Sequence, residues 1–289
     1  MGEPASRPEG ALPLVALAAS LISQNLGAAV AKSLFPVVGV EGMTALRVGL
    51  SALLLLVFWR PWRRPVARRD IANILVYGAM LGGMNLCIYH AFARIPIGIA
   101  TAIETTGPLV VVLAASRRAL DVAWVALALF GLALLLPLGS AQPLDPLGLL
   151  FALGAAVSWA LYIVFGKRVA TLASGQAVTL GMLVASLFAV PIGIAHAGAA
   201  MLVAPILMAG LGVALLSSAV PYSLEMAALR RMPRHVFGIL VSATPAVGAA
   251  CGALVLGERL GALQWLAIGC IIGASAGGAA TGRDDRAGR

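Results

Sequence analysis

The sequence predicts an all-α polytopic membrane protein, with ten transmembrane helices arranged as two inverted five-helix repeats and both termini in the cytoplasm. Three observations predict this fold: the composition, a series of long apolar runs, and the placement of basic residues between them. Of the 289 residues, 61% are hydrophobic and 11% are charged, whereas a soluble domain has about 45–50% apolar and about 25% charged residues. A water-soluble enzyme is therefore excluded, and the unbroken runs argue against a membrane barrel, whose strands alternate.

Ten runs of roughly 20 mainly apolar residues are each long enough to cross a bilayer as a helix. The first run carries Gln24 and Asn25 and ends with Lys32, so it differs from a cleaved signal peptide. The predicted spans are 12–34, 42–58, 71–92, 97–115, 122–138, 147–165, 177–195, 204–224, 236–256 and 263–280.

Basic residues predict the orientation of these spans, because cytoplasmic loops of membrane proteins are enriched in Lys and Arg. One alternate set of segments, which includes both termini, holds 16 of the 20 basic residues, and the other set holds only Arg94 and Arg259. The net charge of +9 is therefore a topology signal and need not imply a nucleic-acid partner. The predicted divisions are a cytoplasmic segment 1–11, a first repeat 12–138, a periplasmic linker 139–146, a second repeat 147–280 and a cytoplasmic tail 281–289.

The two halves of the chain resemble each other. Pro96 and Pro108 are 12 residues apart, as are Pro233 and Pro245, at an offset of 137 residues. Ser23 and Lys32 recur as Ser158 and Lys167, and a tryptophan opens the fifth and the tenth span. Because five spans is an odd number, the second half enters the membrane from the opposite side, as in alternating-access transporters. The other interpretation is that Gly- and Pro-rich membrane helices resemble one another by chance.

Glu104 lies near the middle of the fourth span, where an ionised carboxylate costs roughly 2.5–3.5 kcal/mol on insertion scales. Such a residue is a functional candidate that should face a cavity or a partner. It either binds a ligand or a proton, or pairs with Arg47 and holds helices together. Pro108 removes the helical donor to the Glu104 carbonyl, and Pro245 does the same in the second half, so we expect both helices to be broken or loosened there.

Three other charged residues have alternative interpretations. Arg47 could hold a substrate carboxylate, form a structural ion pair, or extend to the interface. Lys32 lies two residues from the end of its span, which favours extension to the interface. Glu225 is either a gate or proton-entry residue, or a solvated helix end near basic residues.

Several polar or amphipathic residues inside the spans are candidates for lining a transport path, although each could instead mediate packing between helices. They are Gln24, Asn25, Asn85, Tyr89, Thr105, Trp159, Tyr162 and Tyr222. No metal-ligand spacing, nucleotide-binding loop or catalytic cluster is apparent, so we expect no cofactor, no metal and no enzyme activity. The polar residues do not repeat along one helix face, which disfavours a channel.

Several stretches together resemble the EamA branch of the drug/metabolite transporter superfamily. They are Lys32-Ser-Leu-Phe-Pro36, the segment 77–85, Thr106-Gly-Pro108, Pro221-Tyr-Ser-Leu-Glu-Met226 and Leu254-Val-Leu-Gly-Glu-Arg-Leu260. The resemblance covers nearly the whole chain. It implies a ten-span bacterial inner-membrane exporter of small neutral amino acids such as threonine and homoserine, driven by proton entry. An exporter of another metabolite or of a drug with the same fold is the alternative, and a homodimer is one assembly that the sequence leaves open.

Overall fold

The structure is a computed structural model that describes residues 11–114, 119–135, 144–169, 172, 174–229 and 234–281. Within these residues every regular element is helical. The predicted all-α membrane fold is therefore confirmed, since seven helices are long and apolar enough to cross a bilayer. Three further apolar helices are shorter, and they cover Ile97–Val111, Val122–Leu134 and Ala204–Ser218.

Twelve α-helices are assigned in the described residues. In chain order they are α1 (Ala11–Ser33), α2 (Phe35–Trp59), α3 (Arg68–Phe92), α4 (Ile97–Ala114), α5 (Ala119–Leu134), α6 (Pro146–Arg168), α7 (Ser174–Ala197), α8 (Ala204–Ala214), α9 (Val220–Leu229), α10 (Arg234–Val241), α11 (Thr244–Leu256) and α12 (Ala262–Thr281). Short 3-10 turns follow α2 and α7, at Pro61–Arg63 and Gly198–Leu202.

Two predicted spans are each built from two helices. A π-helical turn, Leu215–Ala219, joins α8 to α9. The side chain of Ser23 on α1 donates to the Leu216 carbonyl oxygen at 2.8 Å, which satisfies a backbone group that this turn leaves free. In the next predicted span, α10 ends at Val241 and α11 begins at Thr244, with Pro245 in its first turn.

The helix predicted to break at Pro108 does not break. The helix α4 continues from Ile97 to Ala114 with Pro108 inside it, and a proline removes only one helical hydrogen bond. Close packing against α6 supports this turn, since Gly107 lies directly on the backbone of Ala156. The helix α2 is assigned from Phe35, but Gly39 (φ 73°, ψ 170°) is not helical and divides a short first segment from the longer helix that covers the second predicted span.

Helices of the first half pack mainly against helices of the second half. The helix α2 packs on α7, α3 on α6 and α7, and α5 on α12. In turn α1 packs on α9 and α11, while α4 lies against α6, α11 and α12. Small residues allow these close approaches, as is usual for helices in lipid. The largest buried cluster, which includes Tyr89, Ile99 and Ile268, therefore draws on both halves.

Gly107→Ala should destabilise the fold, because an added Cβ would collide with the Ala156 carbonyl oxygen at the crossing of α4 and α6. Overpacking of this kind typically costs about 1–3 kcal/mol. The matched control is Gly269→Ala on α12, whose Cβ would meet open space and which gains up to about 1 kcal/mol of helix propensity. Thermal unfolding in detergent should give a lower Tm for the first variant only. Equal Tm values for the two variants would contradict the packing described here.

Candidate functional site

A cavity of about 240 Å³ lies inside the bundle. This is smaller than the roughly 300–1,000 Å³ of sites for drug-sized ligands. Its walls come from α1, α2, α3, α4, α6, α9, α10 and α11, so both halves of the chain contribute. A larger depression of about 660 Å³ lies on the outside of the bundle, where Leu53, Val57 and Phe58 give it an apolar surface suited to lipid.

Most of the site residues predicted from the sequence line this cavity. They are Gln24, Asn25, Arg47, Asn85, Glu104, Trp159, Tyr162 and Glu225. The sequence analysis did not identify the other wall residues, because apolar residues and threonines are common in membrane helices. They are Leu21, Ala28, Leu81, Met84, Ile88, Phe92, Thr101, Phe237, Val241 and Thr244. The Thr101 hydroxyl donates to carbonyl oxygens one turn back on α4. The Thr244 hydroxyl donates to the carbonyl oxygen of Val241, the last residue of α10.

Arg47 on α2 and Glu104 on α4 are a basic and an acidic side chain that face the same cavity. Both side chains are partly accessible, and the charge of Arg47 acts on Glu104 electrostatically. No ion pair within 4.0 Å joins them, and neither forms an ion pair with another described residue. The structure therefore does not contain the helix-holding ion pair that was the alternative interpretation of Glu104.

The ring of Tyr89 supports the Arg47 guanidinium. The Cζ atom of Arg47 lies 5.1 Å from the centroid of this ring, a distance typical of a cation–π contact. Tyr89 itself is fully buried and packs against Phe35 and Phe92. The prediction that Tyr89 lines the cavity is wrong, because its ring lies behind Arg47 in the hydrophobic core and not on the cavity wall.

One other predicted residue, Thr105, lies in a neighbouring cavity instead. Thr105 lines a smaller neighbouring cavity of about 150 Å³ with Pro108, and Trp159, Phe237 and Val241 line both cavities. Thr105 turns away from Glu104 because successive residues of a helix point in directions about 100° apart. The side chain of Tyr222 lies outside the described part of the structure.

Two asparagines in the cavity wall are held in the same way. The Nδ2 atom of Asn25 donates to the Leu21 carbonyl oxygen at 2.8 Å, and that of Asn85 donates to the Leu81 carbonyl oxygen at 2.7 Å. Each amide is therefore anchored one turn back on its own helix. The orientation is unambiguous, since a reversed amide would set two acceptor oxygens against each other.

One end of the cavity carries a second carboxyl group. Ser20 on α1 donates to the Oε1 atom of Glu225 at 2.9 Å. Beside it, Tyr162 stacks on Tyr77 with ring centroids 4.6 Å apart, and their hydroxyls are 2.8 Å apart. Glu225 is thus a cavity residue with a hydrogen-bond partner, and the interpretation as a simple solvated helix end does not fit.

Beyond the opposite end of the cavity, where α1 finishes and α4 begins, two charged side chains form a clamp. The Nζ atom of Lys32 lies 2.6 Å from Oε1 of Glu258 and also donates to the Ile95 carbonyl oxygen at 3.0 Å. The other carboxylate oxygen of Glu258 accepts from the backbone N–H of Ile97 at 3.0 Å. We call this end the Lys32 end and these contacts the Lys32–Glu258 clamp.

Gly257 explains how Glu258 reaches the clamp. Its φ of 69° ends α11 in a left-handed cap, which turns the chain so that the Glu258 N–H bonds to the Gly252 carbonyl oxygen at 3.1 Å. The sequence analysis expected Lys32 to extend to the interface and did not predict this partner, a carboxylate from the other half of the chain. The Gly257-Glu258 pair in the sequence is the signal that could have indicated this partner.

The described residues contain no group of three or more His, Cys, Asp and Glu side chains that could hold a metal ion. The three cysteines Cys87, Cys251 and Cys270 are free.

A cavity between two helical halves, with unpaired opposite charges in its wall, is the arrangement expected of a membrane transporter. Comparison with known proteins decides the family. The threonine/homoserine exporter RhtA of Escherichia coli (strain K12) is 46% identical over 275 residues, which cover 95% of this chain and 93% of that protein. The model of the EamA-like transporter family matches residues 146–277. The chain belongs to the EamA-like transporter family.

Other relatives agree with this EamA-like assignment. RhtA of Salmonella typhimurium (strain LT2) is 46% identical over 93% of this chain and 92% of its own length. The uncharacterized inner membrane transporter YedA of Escherichia coli (strain K12) is 29% identical over 81% of this chain and 78% of its own length. One solved crystal structure of another protein superposes with a TM-score of 0.62 at 20% identity, over 96% of this chain and 99% of that one, which shows the same fold.

Removing one partner of the Lys32–Glu258 clamp should destabilise this EamA-like protein. Lys32→Met leaves the Glu258 carboxylate, whose side chain is only 11% exposed, without its cation. We expect a loss of about 1.5–3 kcal/mol, the range for hydrogen bonds to charged groups. The double variant Lys32→Met/Glu258→Gln should lose less than the sum of the two single variants, since the pair is coupled. Thermal unfolding in detergent measures all three.

The control for the clamp is Asp145→Asn, which discharges the more exposed partner of Arg94 but keeps the cap on the Leu147 N–H. Exposed pairs contribute about 0–1 kcal/mol, so its Tm should stay near that of the wild type. Strict additivity of the two clamp variants would show that Lys32 and Glu258 do not interact.

Proposed function

We propose that this chain is a bacterial inner-membrane secondary transporter that exports small neutral amino acids of the threonine/homoserine kind, by proton antiport with alternating access. One observation carries the proposal: Arg47 and Glu104 face a single small cavity and do not pair with each other. The resemblance to RhtA over almost the full chain supports the substrate class.

A zwitterionic amino acid is the ligand that satisfies both charges. Its carboxylate takes the guanidinium fork of Arg47, which suits a bidentate contact. Its ammonium takes the carboxylate of Glu104. The small volume and the two charges disfavour the alternative of a bulky hydrophobic drug, whose site would be larger and mostly apolar.

Proton coupling follows from competition at Glu104. A protonated Glu104 no longer attracts the ammonium group, so a proton that arrives from the periplasm releases the substrate there. Loss of that proton towards the cytoplasm restores the anion for the next substrate. At 100 mV each proton supplies about 2.3 kcal/mol, enough for roughly a fifty-fold substrate gradient at 1.4 kcal/mol per tenfold.

The topology we propose has ten spans in two inverted repeats with both termini cytoplasmic. In this topology α8 and α9 form one span, and α10 and α11 another. The helix contacts support it, since exchanging the two halves leaves the pattern nearly unchanged: α3 on α6 corresponds to α1 on α8 and α9, and α2 on α7 corresponds to itself. The Lys32 end is then periplasmic and the Glu225 end cytoplasmic.

Alternating access requires the periplasmic end of the cavity to open. Beyond that end, the Lys32–Glu258 clamp joins α1, the start of α4 and the second residue after α11, so it stands in the way of such an opening. Substrate release therefore requires the clamp to separate. The cavity lies within a single chain, so this cycle needs no second copy, although it is compatible with a homodimer.

Glu104→Gln should abolish proton-driven export. The change keeps the size of the side chain and its acceptor oxygen but removes the titrating charge. In reconstituted vesicles with an imposed pH gradient, the wild type should move radiolabelled threonine uphill, and the variant should only equilibrate it or exchange it weakly. The control is Glu41→Gln, which removes an acid that pairs with His90 outside the cavity and should leave uphill transport intact. Uphill transport by Glu104→Gln at the wild-type rate would rule out the coupling role.

A further inference from the structure

The cavity wall contains a hydrogen-bond acceptor, the side-chain oxygen of Asn85, that the charged groups of a zwitterionic substrate would not use. Asn85 on α3 is 3% exposed overall, and its amide is anchored through Nδ2 to the Leu81 carbonyl oxygen. Its Oδ1 atom accepts no hydrogen bond from the described residues. This oxygen is nevertheless not fully enclosed, since it is absent from the buried polar atoms that have no partner. Because Asn85 lines the cavity, a ligand in the cavity can reach its Oδ1 atom.

This acceptor is fixed in place before any ligand arrives. The amide cannot reverse, because that would set its oxygen against the Leu81 carbonyl at 2.7 Å. The Leu81 and Ile88 side chains, both almost fully buried, line the cavity on the same helix and limit its access to water. A poorly hydrated acceptor of this kind favours a ligand that brings a donor, since an unsatisfied buried acceptor is costly.

Neighbouring polar groups do not serve the same purpose. The Oδ1 atom of Asn25 lies close to Gly248 of α11, since a Cβ atom built on this glycine would be only 2.9 Å from it. The Thr101 hydroxyl lies beside the same glycine and donates to the carbonyl oxygens of Ile97 and Gly98. Asn85 therefore presents the more open acceptor of the two asparagines.

We infer that the Oδ1 atom of Asn85 accepts a hydrogen bond from a hydroxyl group on the substrate side chain, and so makes the transporter select hydroxy amino acids over aliphatic ones of the same shape. The inference rests on the proposed function, in which Arg47 and Glu104 bind the carboxylate and the ammonium. The relative RhtA is named as a threonine/homoserine exporter. Both of these amino acids have such a hydroxyl. Valine and norvaline have the corresponding shapes with a methyl group in its place.

The test compares these matched pairs of substrates in vesicles. Wild-type protein should transport threonine over valine, and homoserine over norvaline, with a ratio of Vmax/KM of roughly 10 to 100, as expected when a poorly hydrated acceptor is left without its hydrogen bond. Asn85→Leu keeps the approximate volume but removes the acceptor, so the ratio should fall to near 1. Asn85→Ser, which keeps a smaller acceptor, should give an intermediate ratio and carries the test if the leucine variant does not accumulate.

The matched control is Thr179→Val, which removes a buried hydroxyl that is likewise bonded one turn back, to the Gly175 carbonyl oxygen, but lies outside the cavity. Its ratio should equal that of the wild type. A ratio that persists in both Asn85 variants overturns the inference, as would equal loss of all four substrates, which would assign Asn85 to the ammonium group. Equal transport of threonine and valine by the wild type overturns the inference alone, whereas transport of neither overturns the proposed function as well.

Discussion

A basic and an acidic side chain that form no ion pair in an apolar interior are the constraint on which the rest of this structure depends. Separating Arg47 and Glu104 across a cavity forgoes the attraction that would partly offset their transfer out of water. Two features reduce the cost of this arrangement without bringing the two groups together. The Tyr89 ring packs against the Arg47 guanidinium, and the cavity leaves both side chains accessible to water or a ligand. A structure that only needed stability would bring the two charges together. Under the proposed function, keeping them apart leaves a site that a molecule with one charge of each sign would complete.

The second organising feature is the way in which the two halves of the chain share every wall of the cavity. Small residues let α4 lie on α6 and α11, and α1 on α9 and α11, so the motion proposed for alternating access would change the cavity directly. The Lys32–Glu258 clamp is the polar counterpart of this packing at one end, since its two charges come from different halves. An ion pair with partial exposure is suited to such a position, because water can replace each partner when the contact separates, whereas a deeply buried pair would leave an unpaired charge.

Much of the fold and of the site could be predicted from the sequence. A polar residue inside a membrane span costs free energy, so the few polar residues within the apolar runs are candidates for a function. Glu104, Arg47, Asn85 and Tyr162 were identified in this way, and they line one cavity. The direction in which a side chain points was harder to predict: Tyr89 lies behind the cavity wall, since aromatic residues serve equally as core and as lining. Long-range pairing was also missed, as Lys32 and Glu258 are 226 residues apart and each resembles a helix end. Pro108 was expected to break a helix, but packing at Gly107 supports it.

The central claim is that the cavity recognises a positive and a negative group at once, and binding by purified wild-type protein tests it most directly. Isothermal titration calorimetry should compare threonine with its methyl ester, which lacks the carboxylate charge, and with N-acetylthreonine, which lacks the ammonium charge. The account predicts that threonine binds and that each derivative binds at least about tenfold more weakly, which corresponds to 1.4 kcal/mol or more. If either derivative binds as tightly as threonine, the corresponding charge is not used and the account is contradicted.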